Sequence, residues 1–268
     1  MTPSVFTQAI RRRAVGLTWW CLGVAAATAL IVGAYPTVRD NDSLNSTFAK
    51  LPASIQAALG LSPGTALTAP VGYLNSQFFT NVLPIILLVF ALSVAAWTIA
   101  GDEAGGTLEL LLANPISRFR VCVERVGALA VMVILLTAVG LAVLSLLAPI
   151  VQLTARLDAM HVLAAFIATA AFAIVSASLC FAAGAATGSR AVALGIASAF
   201  AVAGYILQGL AEQVTALRPL RDITPWHWLI SADPLANGFS IEAVVVPLIV
   251  SLALFGAGGA AFARRDLR

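Results

Sequence analysis

Charge is scarce in this chain. Of its 268 residues only 10% are Asp, Glu, Lys or Arg, while 60% are hydrophobic. A soluble domain carries about a quarter charged residues, so a soluble globular protein is excluded. Lysine is scarcer still. Lys50 is the single one and follows Ala49, so no Gly-Lys pair exists to build a phosphate-cradling P-loop. Cysteine occurs three times, at Cys21, Cys122 and Cys180, far apart and in no CxxC or Cys/His spacing. Neither a disulfide framework nor a metal site is indicated. His161 and His227 are the only histidines, and no serine of an apolar segment (Ser176, Ser178, Ser198) has one at comparable depth. No catalytic residue is therefore assigned, and an enzyme acting within the membrane is disfavoured.

The apolar residues gather in blocks near the ~20 residues needed to cross a hydrocarbon core of ~30 Å. Six spans are expected, at about 14–35, 79–100, 126–147, 162–183, 192–210 and 244–262, in one domain covering 1–268. The fold class is an all-α, multi-pass protein of the cell membrane. Fourteen arginines flank the blocks and form no patch with interleaved aromatics, so the net charge of +3 reflects topology and no nucleic-acid partner is expected. With both termini cytoplasmic, ten basic residues fall inside and five outside, as the positive-inside rule prefers. Arg11-Arg12-Arg13 precede a run of span length with no small-residue cleavage site after it, so the first span is read as retained.

The spans themselves are almost free of ionisable groups. Carriers driven by ion gradients keep carboxylates or histidines there, and only Glu212, at the outer end of the fifth span, approaches that description. Gln208 is the most polar side chain well inside a span and suits a helix–helix hydrogen bond.

The connections carry their own signals. Val5, Phe6, Ala9 and Ile10 form an apolar stripe before the arginine triplet, with Thr2 to cap it and Pro3 at its first position, which predicts an interfacial elbow helix. In "LPASIQAALG", Pro52 opens and Gly60 closes a short helix with Leu51, Ile55 and Leu59 on one face. "TPWHWLISADPL", with Trp226, His227 and Trp228 between prolines, predicts short broken helices at the outer interface. Gly184–Arg190 reads as a tight turn of small residues.

One connection stands apart. "GDEAGGTLELLLANPISRFRVC", Gly101–Cys122, places Asp102, Glu103, Glu109, Arg118 and Arg120 within a short distance. Gly101, Gly105 and Gly106 let the chain turn, and Thr107–Ala113 reads as a helix with Leu108, Leu111 and Leu112 on one face. Asn114-Pro115 ends it, and Ser117 can cap the helix that follows. The residues alone leave two readings open: a connector whose leucines rest on lipid, or a docking element for a soluble protein that acts on the membrane domain.

This segment resembles the one between the second and third spans of type 2 ATP-binding-cassette (ABC) exporter permeases. "LPASIQAALG", "TPWHWLISADPL" and the C-terminal "ARRDL" are similar to other parts of the same family, so the resemblance covers nearly the whole chain. It implies a cytoplasmic coupling helix at Thr107–Ala113, inserted into a cleft of a separate ATPase chain. Asp102, Glu103, Thr107, Leu108, Glu109, Leu111, Leu112 and Arg118 would make that contact, with Arg118 and Arg120 pairing with those carboxylates or with lipid headgroups. Gly105-Gly106 departs from the family pattern, in which a polar or basic residue precedes one glycine. The resemblance further implies a pair of permease domains, identical or not, two ATPase subunits that hold ATP and magnesium, and no cofactor on this chain. A substrate pathway would run between the paired domains along the second and fifth spans, near Phe78, Phe79, Asn81, Tyr205, Gln208 and Glu212. The function implied is export, driven by ATP hydrolysed elsewhere, of an amphipathic, lipid-like or drug-like molecule, as in multidrug efflux. The alternatives are an ion-coupled carrier, or a membrane scaffold or enzyme without an ATPase.

Overall fold

A computed structural model describes residues 5–39, 41, 66, 68–98, 117–153, 157–211 and 213–264. Every regular element among them is a helix, and six helices are long and apolar enough to cross a membrane. They are α1 (Val5–Arg39), α2 (Pro70–Ala96), α3 (Arg118–Leu147), α4 (Ala159–Thr187), α5 (Arg190–Leu210) and α9 (Ile241–Arg264). Between α5 and α9 lie a single 3-10 turn, Thr215–Leu217, and three short helices, α6 (Arg218–Asp222), α7 (Pro225–Ile230) and α8 (Pro234–Asn237). The short broken helices expected in this segment are thus present. The short helix of 51–60 lies outside the described residues.

Two expectations need correction. The elbow is no separate element, because α1 runs unbroken through Arg11–Arg13 and includes the stripe at Val5–Ile10. No glycine or proline stands between Val5 and Val15 to break it, and at 1.5 Å per residue a 35-residue helix exceeds the hydrocarbon core by about 20 Å. The turn expected at Gly184–Arg190 is also shorter. α4 continues to Thr187, Gly188 takes the left-handed conformation (φ 68°) that ends it, and the Ser189 hydroxyl accepts from the Val192 amide to start α5.

α4 is the central post. In its apolar window 78% of residues are buried, against 22% in α1, which packs on α3, and 22% in α9. Alanines such as Ala164, Ala165, Ala168 and Ala173 let neighbours approach closely, since association in lipid depends on packing more than on the hydrophobic effect. α9 comes nearest. A methyl group at Gly258 would stand 2.9 Å from Cα of Ala182. Charged residues of the described spans sit at helix ends. Arg118, at the start of α3, meets Phe262 near the end of α9, and the Phe6 amide near the start of α1 donates to Glu124. Both described chain ends therefore share one end of the bundle, the arginine-rich end.

Candidate functional site

At the opposite end, the second span enters the bundle through Asn75-Ser76-Gln77-Phe78-Phe79-Thr80-Asn81, wound as π-helix from Asn75 to Val82. Pro84 gives a physical reason. It has no N–H, so the Thr80 carbonyl loses its α-helical donor. Nearby, the Leu83 amide donates to the Phe78 carbonyl, five residues back, which is the π pattern. The Asn81 amide nitrogen donates to the Ser76 carbonyl at 2.6 Å, fastening the wide turn from its side.

This turn is held by two polar contacts from elsewhere in the chain. The Tyr205 hydroxyl of α5 donates to Oδ1 of Asn81 at 3.2 Å. The Tyr205 ring meets Trp226 of α7 edge-on, with centroids 5.0 Å apart. Trp226 in turn donates from its indole nitrogen to the Ala201 carbonyl at 2.9 Å and packs on Phe172 of α4. At the near end of the turn, Asn75 donates to Oδ1 of Asp233 at 3.1 Å, and the same carboxylate caps α8 by accepting from the Ala236 amide. The π turn thus joins α2 to α5 and to the cap of α8, and α7 backs that contact through Trp226.

The expected pathway residues divide. Asn81 and Tyr205 meet each other and are both solvent- or lipid-accessible. Phe78 and Phe79 point inward, 1% and 4% exposed, and close an aromatic cluster with Phe166 of α4. Gln208 shares the face of α5 that carries Ala197, Ala201 and Gly204, and its Oε1 is buried with no hydrogen-bond partner among the described residues. Glu212 lies outside the described residues. The polar run at Asn75–Asn81 and the proline after it were the available sequence signals for the π turn. The parts played by Asn75, Asp233 and Trp226 had no such signal, because they depend on contacts far along the chain.

His227 has a different place. Its Nε2 is 3.4 Å from Asp222 and 3.7 Å from Glu242, and its Nδ1 is 2.7 Å from the Ser231 hydroxyl. It ties α7 to the end of α6 and the first turn of α9.

At the arginine-rich end, Ser117 caps α3 as expected, accepting from the Arg120 amide. Arg118 donates to the Phe262 carbonyl at 3.1 Å and lies 5.5 Å above its ring, so it binds α3 to α9. Arg120 pairs with Glu124 at 2.7 Å. Asp102, Glu103, Thr107, Leu108, Glu109, Leu111 and Leu112 lie outside the described residues. Where α2 ends, Trp97 is covered by the Arg190 guanidinium from the start of α5, 4.3 Å from the ring centre. α2 and α5 are thus in contact at both ends of the bundle.

The groups at the π turn are the amides of Asn75 and Asn81, the Tyr205 hydroxyl and the Asp233 carboxylate, with the Trp226 indole behind Tyr205. They can stack and exchange hydrogen bonds. Residues 13–267 match a family model described as ABC-2 family transporter protein. No curated protein matches the chain.

Proposed function

The chain belongs to the ABC-2 transporter family, and from this premise we propose that it is the permease subunit of an ATP-driven exporter. The family match, which runs through all six spans, carries the reading. Its ATPase is a separate cytoplasmic chain, two copies per complex, that binds ATP and magnesium, and a second permease domain completes the membrane pore. Thr107–Ala113 is the coupling helix. Leu108, Leu111 and Leu112 supply the apolar side of its contact, and Asp102, Glu103 and Glu109 the charged side.

On this reading α2 transmits the stroke. Its arginine-rich end leads directly into the coupling segment, and its other end carries the π turn. Asn81 and Tyr205 line the pathway side of that turn, Gln208 follows Tyr205 by three residues on α5, and Phe78 and Phe79 support it from behind. Spans with hardly any charge away from their ends favour a cargo that is amphipathic, lipid-like or drug-like over a small ion. The chain is multi-pass and belongs in the cell membrane, with both termini cytoplasmic.

The test is co-expression with the candidate ATPase and purification through a tag on this chain. Glu109→Arg and Leu111→Asp should leave a folded membrane protein that no longer captures the ATPase or stimulates its turnover. Undiminished capture and coupling in both variants would reduce Thr107–Ala113 to an interfacial connector and sink the proposed coupling.

A further inference from the structure

At the arginine-rich end, a cavity of about 310 Å³ opens between α1, the end of α2 and the first turns of α3. Three guanidinium side chains line it: Arg12 and Arg13 from α1, and Arg125 from α3. Gln8, Trp97 and Thr98 add polar edges, while Val94, Ala128 and Met132 form an apolar floor. We infer that this cavity is a binding site for the phosphate of an anionic phospholipid.

Placement argues for it first. Val5, Gln8, Ala9 and Arg12 recur at three- and four-residue spacing, so one face of α1 turns toward the cavity. Arg125 lies seven residues into α3, about 10 Å from its start at 1.5 Å per residue. It is only 7% exposed, immediately before the apolar run that opens at Val126. The cavity therefore sits where headgroups give way to acyl chains, with charge toward its mouth and apolar surface beneath.

Charge argues next. Among the described lining residues there are three arginines and no carboxylate. Glu124, the nearest acid along α3, accepts from Arg120 and from the Phe6 amide. Arg13 and Arg125 make further interactions within the chain, so a phosphate joins a network that the protein already holds in place. Guanidinium groups suit this ligand because their planar fork meets two phosphate oxygens at once. Basic pockets between membrane helices take acidic headgroups on the same grounds. The volume equals the liquid share of about ten waters, at roughly 30 Å³ each, which admits a phosphodiester and the start of its glycerol. Trp97, 40% exposed beside the cavity, has the amphipathic ring suited to that depth.

The site adds a ligand that does not depend on the exporter reading, since its test needs neither ATPase nor cargo. The purified full chain in a neutral detergent is titrated with short-chain phosphatidylglycerol, inorganic phosphate or short-chain phosphatidylcholine. Thermal unfolding is followed. Phosphatidylglycerol should raise the midpoint, less so at high salt, and phosphatidylcholine should not. Arg12→Gln/Arg13→Gln, placed at the cavity mouth where loss of charge is tolerated, should weaken the effect by roughly 30-fold, taking each cation near an anionic headgroup at about fivefold. Arg125→Gln should abolish it. An equal response to inorganic phosphate would retain the anion site and assign it to the free ion. Equal stabilisation by phosphatidylcholine, or an unchanged response in the Arg12/Arg13 variant, would overturn the proposal.

Discussion

The Tyr205 hydroxyl donates to Oδ1 of Asn81 across 3.2 Å, 124 residues apart in the chain. The bond joins α5 to the π turn of α2, and Asn81 holds that turn through its other amide group. Hydrogen bonds between membrane helices average about 0.6 kcal/mol in double-mutant cycles. Tyr205→Phe should therefore lower stability by about that amount, and Asn81→Ala by more, because the Ser76 carbonyl also loses its donor. Thermal unfolding of the two single variants and the double should return a coupling near 0.6 kcal/mol. Strict additivity would show that the bond contributes nothing.

The spans themselves were legible because length and apolar content suffice to identify them, and helix ends moved only where local chemistry differed. α1 began earlier, since nothing between Val5 and Val15 breaks a helix. α2 began at Pro70, drawing Asn75–Gln77 out of the expected loop, because Tyr73, Asn75 and Ser76 find partners within the bundle or the helix. The site was legible in part. Asn81 and Tyr205 belong to the spans that the family resemblance named, yet their contact depends on tertiary packing. Phe78 and Phe79 show the opposite limit. Aromatic residues in a span read alike whether they face a pathway or, as here, the Phe166 ring.

Close approach of α4 and α9 makes a sharp comparison between two glycines of one helix. A methyl at Gly258 meets backbone at 2.9 Å and the Phe181 ring at 3.0 Å, whereas one at Gly256 meets nothing within 4 Å. Gly258→Ala should cost about 1–3 kcal/mol, the usual range for overpacking. Gly256→Ala should leave stability unchanged or slightly higher. Fluorescence-detected size exclusion after a heating series would separate them, and equal midpoints would contradict the close packing.

Trp226 combines a hydrogen bond with two ring contacts. Trp226→Phe keeps an aromatic body between Phe172 and Tyr205 and loses the donor to Ala201, which should cost about 1 kcal/mol. Trp226→Ala also empties the space and should cost about 3–5 kcal/mol. If both variants unfold at one temperature, the ring contacts carry no weight and α7 is not held through Trp226.

Gln208 offers a prediction in which stability and function move in opposite directions. Its Oε1 is buried and accepts no hydrogen bond from the described residues, and leaving a buried acceptor unmet costs about 1–3 kcal/mol. Leucine has a similar volume and no such need, so Gln208→Leu should raise the unfolding midpoint of the purified chain. A side chain kept at a cost to stability is the usual mark of a functional position. Under the export reading, that acceptor receives a donor from cargo or from the second permease domain during the cycle. Gln208→Leu should then reduce cargo-stimulated ATP turnover of the assembled complex several-fold while the chain itself becomes more stable. A variant that is more stable and fully active would remove Gln208 from the pathway. A variant that is less stable would mean that Oε1 is satisfied in the folded protein, and the hydrogen-bond argument for its role would fall.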